Sequence, residues 1–469
     1  MIRWIIIFGI LYISALILLS LRSRKRNKST RDFILAGSNI GPILGFMSFA
    51  ATLFSTFTLM GMPDFFRTHG IGAWLFLAFS DAAMVFLIVW FGFTLRKKAA
   101  EKGFQGMAGL LGSVFESKLA AYVYFFGVFI FLIPYVAIQI RGVAIFLSAI
   151  FPGALPPWGW ALLIVTLMLI YSELGGLKAI MHADVMQGIL LLTVVWIIAV
   201  NSIRYFGGVG EMFESIEKID TSLLSLPGPK GLFNFQFLLA SFLAILLIPV
   251  SQPQLSTRLV ILKDTRTLHR MAVAVGIFAM LVILPTLPIG FYGAAKYSDL
   301  PAAEYISRVL IFDQPGLIAA ATIIGLTAAA LSTSDSQIFA LGSELRSMLK
   351  GKDKIILLQT RAAMIFFALA ALIFSVLSSD QLVMLARVSF AGTSIMAPMI
   401  LSAVFLKNKP GRELIFLTFA GLVVFILSLL NVIPDHIGNI RMDLFILSSL
   451  FLLAIMSGLM RYYRFSGAK

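Results

Sequence analysis

The chain has 469 residues, no cysteine and only four histidines, at positions 69, 182, 269 and 436. Without cysteine there are neither disulfides nor thiolate ligands, and four scattered histidines show none of the spacings of a metal site. Charged residues are also scarce, at 13% of the chain, which is about half of their usual share in soluble domains. These absences exclude a disulfide-stabilised secreted domain, thiolate chemistry and an ordinary soluble fold.

The chain consists instead largely of long apolar stretches. Hydrophobic residues make up 59% of it, and the mean hydropathy is +0.97. Apolar stretches of about 18 residues or more recur from end to end. They predict an all-α polytopic membrane protein, because a chain in lipid satisfies its backbone hydrogen bonds within helices. The net charge of +15 is assigned to cytoplasmic loops and contacts with anionic lipid, rather than to nucleic acid.

Hydropathy predicts about 13 transmembrane helices. The first, near 2–21, is followed by a basic cluster from Arg22 to Arg31, and we read it as a retained span rather than a cleaved signal peptide. Further basic clusters fall on alternate loops, such as Arg96-Lys97-Lys98 and the loop after the span near 232–250 with Arg258, Lys263, Arg266 and Arg270. The positive-inside rule then predicts an N-terminus outside and a C-terminus inside the cell.

The apolar helix near 316–340 carries an unusual polar run, Ser332-Thr333-Ser334-Asp335-Ser336. A carboxylate at membrane depth is costly and usually faces a partner, a cavity or an ion. Hydroxyl and carboxylate oxygens suit hard cations, so we expect this helix to form part of a sodium site. The alternative is that these small side chains only pack one helix against another.

The second predicted span, about 41–62, is also rich in hydroxyl groups. Five of them, at Ser48, Thr52, Ser55, Thr56 and Thr58, lie among small and aromatic residues. Unwound helices at the bilayer midplane expose carbonyl oxygens that can coordinate an ion. The pattern is equally consistent with a Ser/Thr packing seam.

Three stretches together resemble the sodium/solute symporter family, which includes sodium/galactose and sodium/proline symporters. The first runs from Tyr171 to Gln187 and contains Gly175-Gly176-Leu177. The second is Ser251 to Arg258, with the Gln-Pro pair of proline symporters. The third is the Ala328 to Gln337 stretch of the polar helix. The similarity covers roughly residues 30–405.

The resemblance implies a LeuT-type fold within a single membrane domain, 1–469. Two inverted repeats of five helices would occupy 41–203 and 232–405. The leading helix 2–21 and two C-terminal helices within 413–460 would lie outside this core. Discontinuous first helices of each repeat would then hold substrate and ions near the midplane.

The resemblance also implies the ligands of a sodium ion. Backbone carbonyls would come from Ala51, Phe54 and Ala329, and hydroxyls from Ser332 and Thr333. Some family members have a second sodium site, which would here use Asp184, Asp335 and Ser336 together with Ser332. Asp335 stands where the family has a hydroxyl, so pairing with a basic residue is the alternative for that side chain.

The substrate pocket is expected between the second span and the helices near 119–150, 232–250 and 382–405. Its candidate contacts are Phe57, Thr58, Gln139, Arg141, Ala244, Ile245 and Pro249. Most of these residues are apolar and would leave the hydroxyl groups of a sugar without hydrogen-bond partners, which is costly. A sugar substrate is therefore disfavoured. Arg141 and Arg387 suit a carboxylate. For Arg387 we favour snorkelling to the outer surface, and for Arg141 a pairing with another helix is an equal alternative.

The sequence therefore predicts a sodium-coupled symporter of the plasma membrane (the inner membrane in a bacterium), not an enzyme. It would import a small organic solute, a monocarboxylate or an amino-acid-like molecule, by alternating access. Its other partner is membrane lipid, and both a monomer and a weak homo-oligomer fit. The alternatives are a proton-coupled symporter and a solute sensor, although a sensor needs an output domain that these 469 residues are not expected to contain. A membrane hydrolase would need a histidine at depth, and a channel a repeated filter element.

Overall fold

The computed structural model describes residues 1–24, 30–351, 353–378 and 382–466. Residues 25–29 of the predicted basic cluster lie outside the described residues, as do the side chains from Tyr171 to Gly175 at the start of the first family-like stretch. Within the described ranges the chain is almost entirely helical, as predicted. A two-stranded hairpin, β1 (His436–Ile437) and β2 (Ile440–Arg441), is the one sheet there.

The described residues of the first half of the chain form nine α-helices. They are α1 (Ile2–Arg24), α2 (Thr30–Leu35), α3 (Pro42–Leu53), α4 (Met62–His69), α5 (Ala73–Lys102), α6 (Met107–Val114), α7 (Lys118–Ile150), α8 (Pro157–Phe206) and α9 (Val209–Ile219). A π-helical turn, Phe57–Gly61, leads into α4.

The part of the second half that the structure describes forms twelve more. They are α10 (Phe235–Leu246), α11 (Ile248–Ser251), α12 (Pro253–Val260), α13 (Thr265–Ile283), α14 (Thr286–Lys296), α15 (Ala302–Ser307), α16 (Gly316–Met348), α17 (Asp353–Leu377), α18 (Leu382–Ser394), α19 (Ala397–Phe405), α20 (Glu413–Leu429) and α21 (Met442–Ser466).

Eight described helices, of 20 to 33 residues, are long and apolar enough to cross a membrane. Two bent pairs raise this number to 10: Pro42–Leu53 with Phe57–His69, and Leu382–Ser394 with Ala397–Phe405. Shorter apolar helices lie at Pro157–Ile170, Phe235–Leu246 and Glu413–Leu429, near three of the remaining predicted spans. A polytopic helical architecture is thus confirmed, whereas the number of 13 spans and the positions of the termini stay predictions.

Gly176 divides the 50-residue helix α8 into two helical parts. It has φ 65° and ψ −170°, a left-handed conformation that glycine adopts without a steric penalty. A Cβ at this position would also lie 2.6 Å from the ring of Phe33. The Gly-Gly pair of the first family-like stretch therefore serves as a turn between two helices, in agreement with the simplest interpretation of that pair.

Helix α16 lies at the centre of the bundle. It contacts α1, α3, α7, α8, α12 and α17, and its polar run from Ser332 to Gln337 is buried throughout. A polar segment surrounded by other helices avoids lipid, which removes the main cost of placing it at membrane depth. The fold thus carries these side chains to the interior, where they meet the break between α3 and α4.

Candidate ion and substrate site

The backbone of the second span leaves the helix at Phe54, which has φ −96° and ψ 126°. The two helical parts that flank this break meet at 52°. Side chains satisfy the N–H groups that the break frees: Ser55 N donates to Thr58 Oγ1 at 3.1 Å, and Thr56 N to Gln139 Oε1 at 3.0 Å. Thr58 and Gln139, both proposed as substrate contacts, therefore stabilise the non-helical backbone at the break.

Two hydroxyls of α16 face the end of α3 at this break. Ser332 Oγ lies 3.0 Å from Ala51 O and shares its one proton between this carbonyl and the carboxylate of Asp184, and Thr333 Oγ1 donates to Thr52 O at 3.3 Å. Phe54 is the first residue beyond α3, and Ala329 lies one turn before Thr333 on α16; both are buried. The structure brings Ala51, Ser332 and Thr333 into one cluster, in which every oxygen is neutral.

Asp184 links this cluster to a buried arginine. Its Oδ1 accepts from Ser332 Oγ at 2.6 Å, and its Oδ2 accepts from Ser48 Oγ at 2.6 Å and from Arg258 Nη2 at 3.1 Å. Arg258 also donates from Nε to Ser48 Oγ at 2.8 Å and from Nη2 to Ser336 Oγ at 2.7 Å. Side-chain exposure is 0% for Asp184 and 1% for Arg258, so this ion pair lies in the protein interior.

The position of Arg258 corrects the sequence reading. We expected it in a basic cytoplasmic loop with Lys263 and Arg266, because it follows a predicted span. The break at Gln252 (φ −100°, ψ 123°) starts a new helix, α12, whose last turn carries Arg258 into the core. Proline residues on both sides, Pro249 and Pro253, disfavour a continuous helix here.

The guanidinium of Arg258 contacts two of the side chains proposed for a second sodium, Asp184 and Ser336. Asp335, the third, is also buried. The candidate second site therefore already contains one positive charge, which belongs to the protein.

A small pocket adjoins the break on the other side. It is lined by three of the proposed substrate contacts, Phe57, Ala244 and Ile245, together with Phe76, Leu77, Ser241, Val383, Ala386, Arg387 and Phe390. Its free volume is about 10 Å³, roughly that of one water molecule. A larger cavity of about 310 Å³ shares Val383 with it and is lined by Asp64, His69 and Lys230 among others. The inner pocket is thus too small for a solute, and a larger cavity lies next to it.

Arg387 lines the pocket rather than the outer surface that we favoured for it. Its Nη2 pairs with Asp443 Oδ2 at 2.6 Å, and its Nε donates to Ser241 Oγ at 3.0 Å. Arg441 Nε lies 3.2 Å from the other oxygen of the same carboxylate. Two arginines therefore share one acid, which leaves this end of the pocket with an excess of positive charge.

Two other candidate residues lie away from this pocket. Arg141 Nη1 donates to Ser375 O of α17 at 2.8 Å, which agrees with the alternative that it pairs with another helix. Pro249 is buried in α11, between the pocket wall of α10 and the start of α12. Neither belongs to the lining that Phe57 and Ala244 share.

Asp81 is a residue that the sequence analysis passed over. It lies one helical turn beyond Leu77 on α5 and is 6% exposed. It makes no hydrogen bond or ion pair with any residue that the structure describes. The sequence did contain a signal for Asp81, because an acidic residue within an apolar span is a functional candidate by default.

Comparisons with known proteins agree with this architecture. The model of the sodium:solute symporter family matches residues 33–411. A sodium/pantothenate symporter of Haemophilus influenzae is 24% identical over 68% of this chain, and the match spans 63% of that relative's length. An osmoregulated proline transporter of Bacillus subtilis is 24% identical over 86% of this chain and 84% of its own.

Solved structures show the same fold. A sodium-coupled sialic acid symporter, in a substrate-bound outward-open state, superposes with a TM-score of 0.79 at 16% identity and covers 98% of this chain and 96% of its own. Mhp1, a nucleobase-cation-symport-1 family transporter, gives a TM-score of 0.59 at 14% identity, with 93% and 95% covered. At such identities the likeness concerns the fold alone.

Proposed function

The chain belongs to the sodium:solute symporter family, and from this premise we propose that it is a sodium-coupled symporter that imports a small organic solute by alternating access. The family membership confirms the predicted multi-pass protein of the plasma membrane, and a transporter rather than an enzyme. Three further points remain part of the proposal: the inverted repeats at 41–203 and 232–405, the outer position of the N-terminus and the inner position of the C-terminus.

The observation that carries this proposal is the contact between Ser332 and Thr333 of α16 and the carbonyls at the end of α3. Carbonyls of Ala51, Phe54 and Ala329 and these two hydroxyls would hold the sodium ion. Neutral oxygens suit a hard monovalent cation that has to be released again. Because Phe57 of the same broken span lines the pocket, an ion that orders the break would also shape the substrate site.

One sodium per cycle fits the Asp184–Arg258 pair better than two. A second sodium at Asp184, Asp335 and Ser336 would share a buried site with the guanidinium, and like charges at short range in the interior repel strongly. In the arrangement described here, Arg258 takes the place of a second cation. A second ion would therefore require Arg258 to leave Asp184.

The pocket favours an amino-acid-like solute over a plain monocarboxylate. Arg387 marks an end with excess positive charge, where a carboxylate would be stabilised. Asp81 lies one turn from the pocket wall without a counter-ion among the described residues, so it could accept a solute's ammonium group. The aromatic rings of Phe57, Phe76 and Phe390 line the space near them, and an aromatic face also attracts a cation.

The test compares thermal stability of the purified protein in sodium, potassium and choline chloride at fixed ionic strength. Sodium should raise the free energy of unfolding by about 2.7 kcal/mol at 100 times its Kd. Ser332→Ala and Thr333→Ala should each abolish this rise. Thr327→Ala is the matched control, because its hydroxyl donates within α16 to Ile323 O at 2.8 Å.

Equal stability in the three salts would refute sodium coupling. A stabilisation that instead follows pH would support the proton-coupled alternative. A sodium effect that survives in both cluster variants would place the ion elsewhere, and the ligand assignment would then be wrong even though the coupling ion was right.

A further inference from the structure

A wide apolar groove runs along the lipid-facing side of the bundle between α7 and α20. Its volume is about 430 Å³. Its walls include Leu119, Tyr122, Phe126, Ile130, Phe419 and Val423. Most of these side chains are exposed by a third or more, so the groove is open to the membrane rather than enclosed.

The groove has the length of one membrane leaflet. Leu119 lies in the first turn of α7 and Ile130 lies 11 residues further along, which corresponds to about 16 Å of helix. Half of the hydrocarbon core of a bilayer is about 15 Å thick. Helix α20 starts on the same side, because Glu413 begins it and Phe419 and Val423 follow. The groove therefore reaches from one membrane surface to about the midplane.

Basic side chains surround the surface end of this groove. Lys118 directly precedes Leu119, and Arg412 directly precedes α20; both are exposed and make no ion pair with any residue that the structure describes. Lys409 pairs with Glu116, whose pKa lies below its usual value because of that pair and of the nearby charges of Lys102 and Arg412. Positive charge exceeds negative charge here. These loops are the ones predicted to face the cytoplasm.

We propose that the groove between α7 and α20 is a binding site for an anionic phospholipid, with an acyl chain along the groove and the headgroup phosphate near Lys118 and Arg412. An anionic lipid would match both the length of the groove, which is that of one leaflet, and its basic end. Attraction of juxtamembrane Lys and Arg to anionic headgroups is the general form of this interaction.

Such a lipid would contact a helix that supports the transport site. Gly127 of α7 lines the groove and also packs against Met396, where a Cβ on the glycine would lie 2.5 Å from the Met396 sulfur. Met396 lies in the 41° bend between α18 and α19. On the same helix, Gln139 holds the break near Thr56. The lipid would therefore stabilise α7 against two points where the bundle bends.

The test measures lipid binding to the purified full chain by native mass spectrometry, with phosphatidylglycerol and phosphatidylcholine of identical acyl chains. The wild type should prefer phosphatidylglycerol. The double variant Lys118→Gln/Arg412→Gln should lose about tenfold in that preference, because each basic side chain near an anionic headgroup adds to the affinity. Lys263→Gln/Arg266→Gln, which alters an exposed basic site elsewhere, should leave the preference unchanged.

A groove-filling variant tests the position of the acyl chain. Val423→Trp should weaken binding of both lipids, whereas Val273→Trp, at an exposed valine on α13, should not. Retained sodium-dependent stabilisation checks that the variants fold. A preference that survives in the double variant would overturn the headgroup assignment, and the proposal would also fail if Val423→Trp left lipid binding intact. Dissociation of a wild-type dimer by Val423→Trp would instead identify the groove as an interface between two copies.

Discussion

The two sides of the break in the second span are built from different chemistry. Toward α3, hydroxyls, carbonyls and one ion pair satisfy one another in a fully buried network. Toward α4, the pocket beyond Phe57 is mostly aromatic and aliphatic, and its side chains leave a free volume of only about 10 Å³. A charge network in the interior is stable only when every member is satisfied, whereas an apolar pocket can close and reopen at lower cost. The first side is suited to hold an ion, and the second to admit different solutes.

The largest expected effect concerns the ion pair on the polar side. Arg258→Gln leaves Asp184 buried without its counter-charge, which should cost about 3–5 kcal/mol of stability. Thermal unfolding measures the loss. The double variant Asp184→Asn/Arg258→Gln should recover most of it, since Asp184 then carries no charge that needs a partner. A single variant as stable as the wild type would show that the pair is not buried in the working protein.

The response of Arg258→Gln to sodium tests the same comparison in a second way. Without the guanidinium, Asp184 becomes free to attract a second cation, so sodium should stabilise Arg258→Gln more than it stabilises the wild type. An unchanged sodium response would mean that Arg258 does not occupy the place of an ion.

A smaller effect is expected on the apolar side. Gly61 lies where a Cβ would come within 2.9 Å of the Phe57 ring and 3.3 Å of a Val383 methyl. Gly61→Ala should therefore press Phe57 into the pocket, at a cost of about 1–3 kcal/mol, and should reduce solute uptake into proteoliposomes. Sodium-dependent stabilisation should persist. Gly41→Ala is the control, because nothing lies within 4 Å of a Cβ there.

The smallest effect belongs to an exposed acid outside the membrane. Asp264 accepts a hydrogen bond from Thr267 N at 2.7 Å at the start of α13, and this bond lowers its pKa. Its contribution to stability is therefore present above the unfolded-state pKa and lost as the pH falls through the lower pKa of the folded state. Asp264→Ser keeps a capping oxygen but does not titrate, so it should lose this acid sensitivity while unfolding otherwise as the wild type does.

The difference between the two sides also decides what sequence could predict. The polar side rests on dense local runs, the hydroxyls of the second span and the Ser332 to Ser336 run, and the break and the Ser332 and Thr333 contacts lie where these runs indicated. Arg258 was misplaced because only the turn at Gln252 brings it back into the core. Sequence alone shows that a residue belongs to a span, but not which neighbouring helix will cover it.

The apolar side shows the same limit more strongly. Arg141 lies in the apolar helix α7 as expected, yet it contacts α17, because α7 is apolar on all sides and its sequence does not mark one face. Asp81 and Arg387 reach the pocket region from α5 and α18, which are far apart in the chain. A pocket assembled from single residues of distant helices carries no local motif.

The Asp184–Arg258 pair has an electrical consequence. Because its two charges cancel, the pair itself adds nothing to the charge that crosses the membrane when the bundle changes conformation. One sodium ion would then move a full positive charge, worth about 2.3 kcal/mol for each 100 mV of membrane potential. Transport of a zwitterion with that ion would be driven by voltage, whereas transport of a monocarboxylate would be electroneutral. The current measured per transported solute molecule therefore reports the charge of that solute.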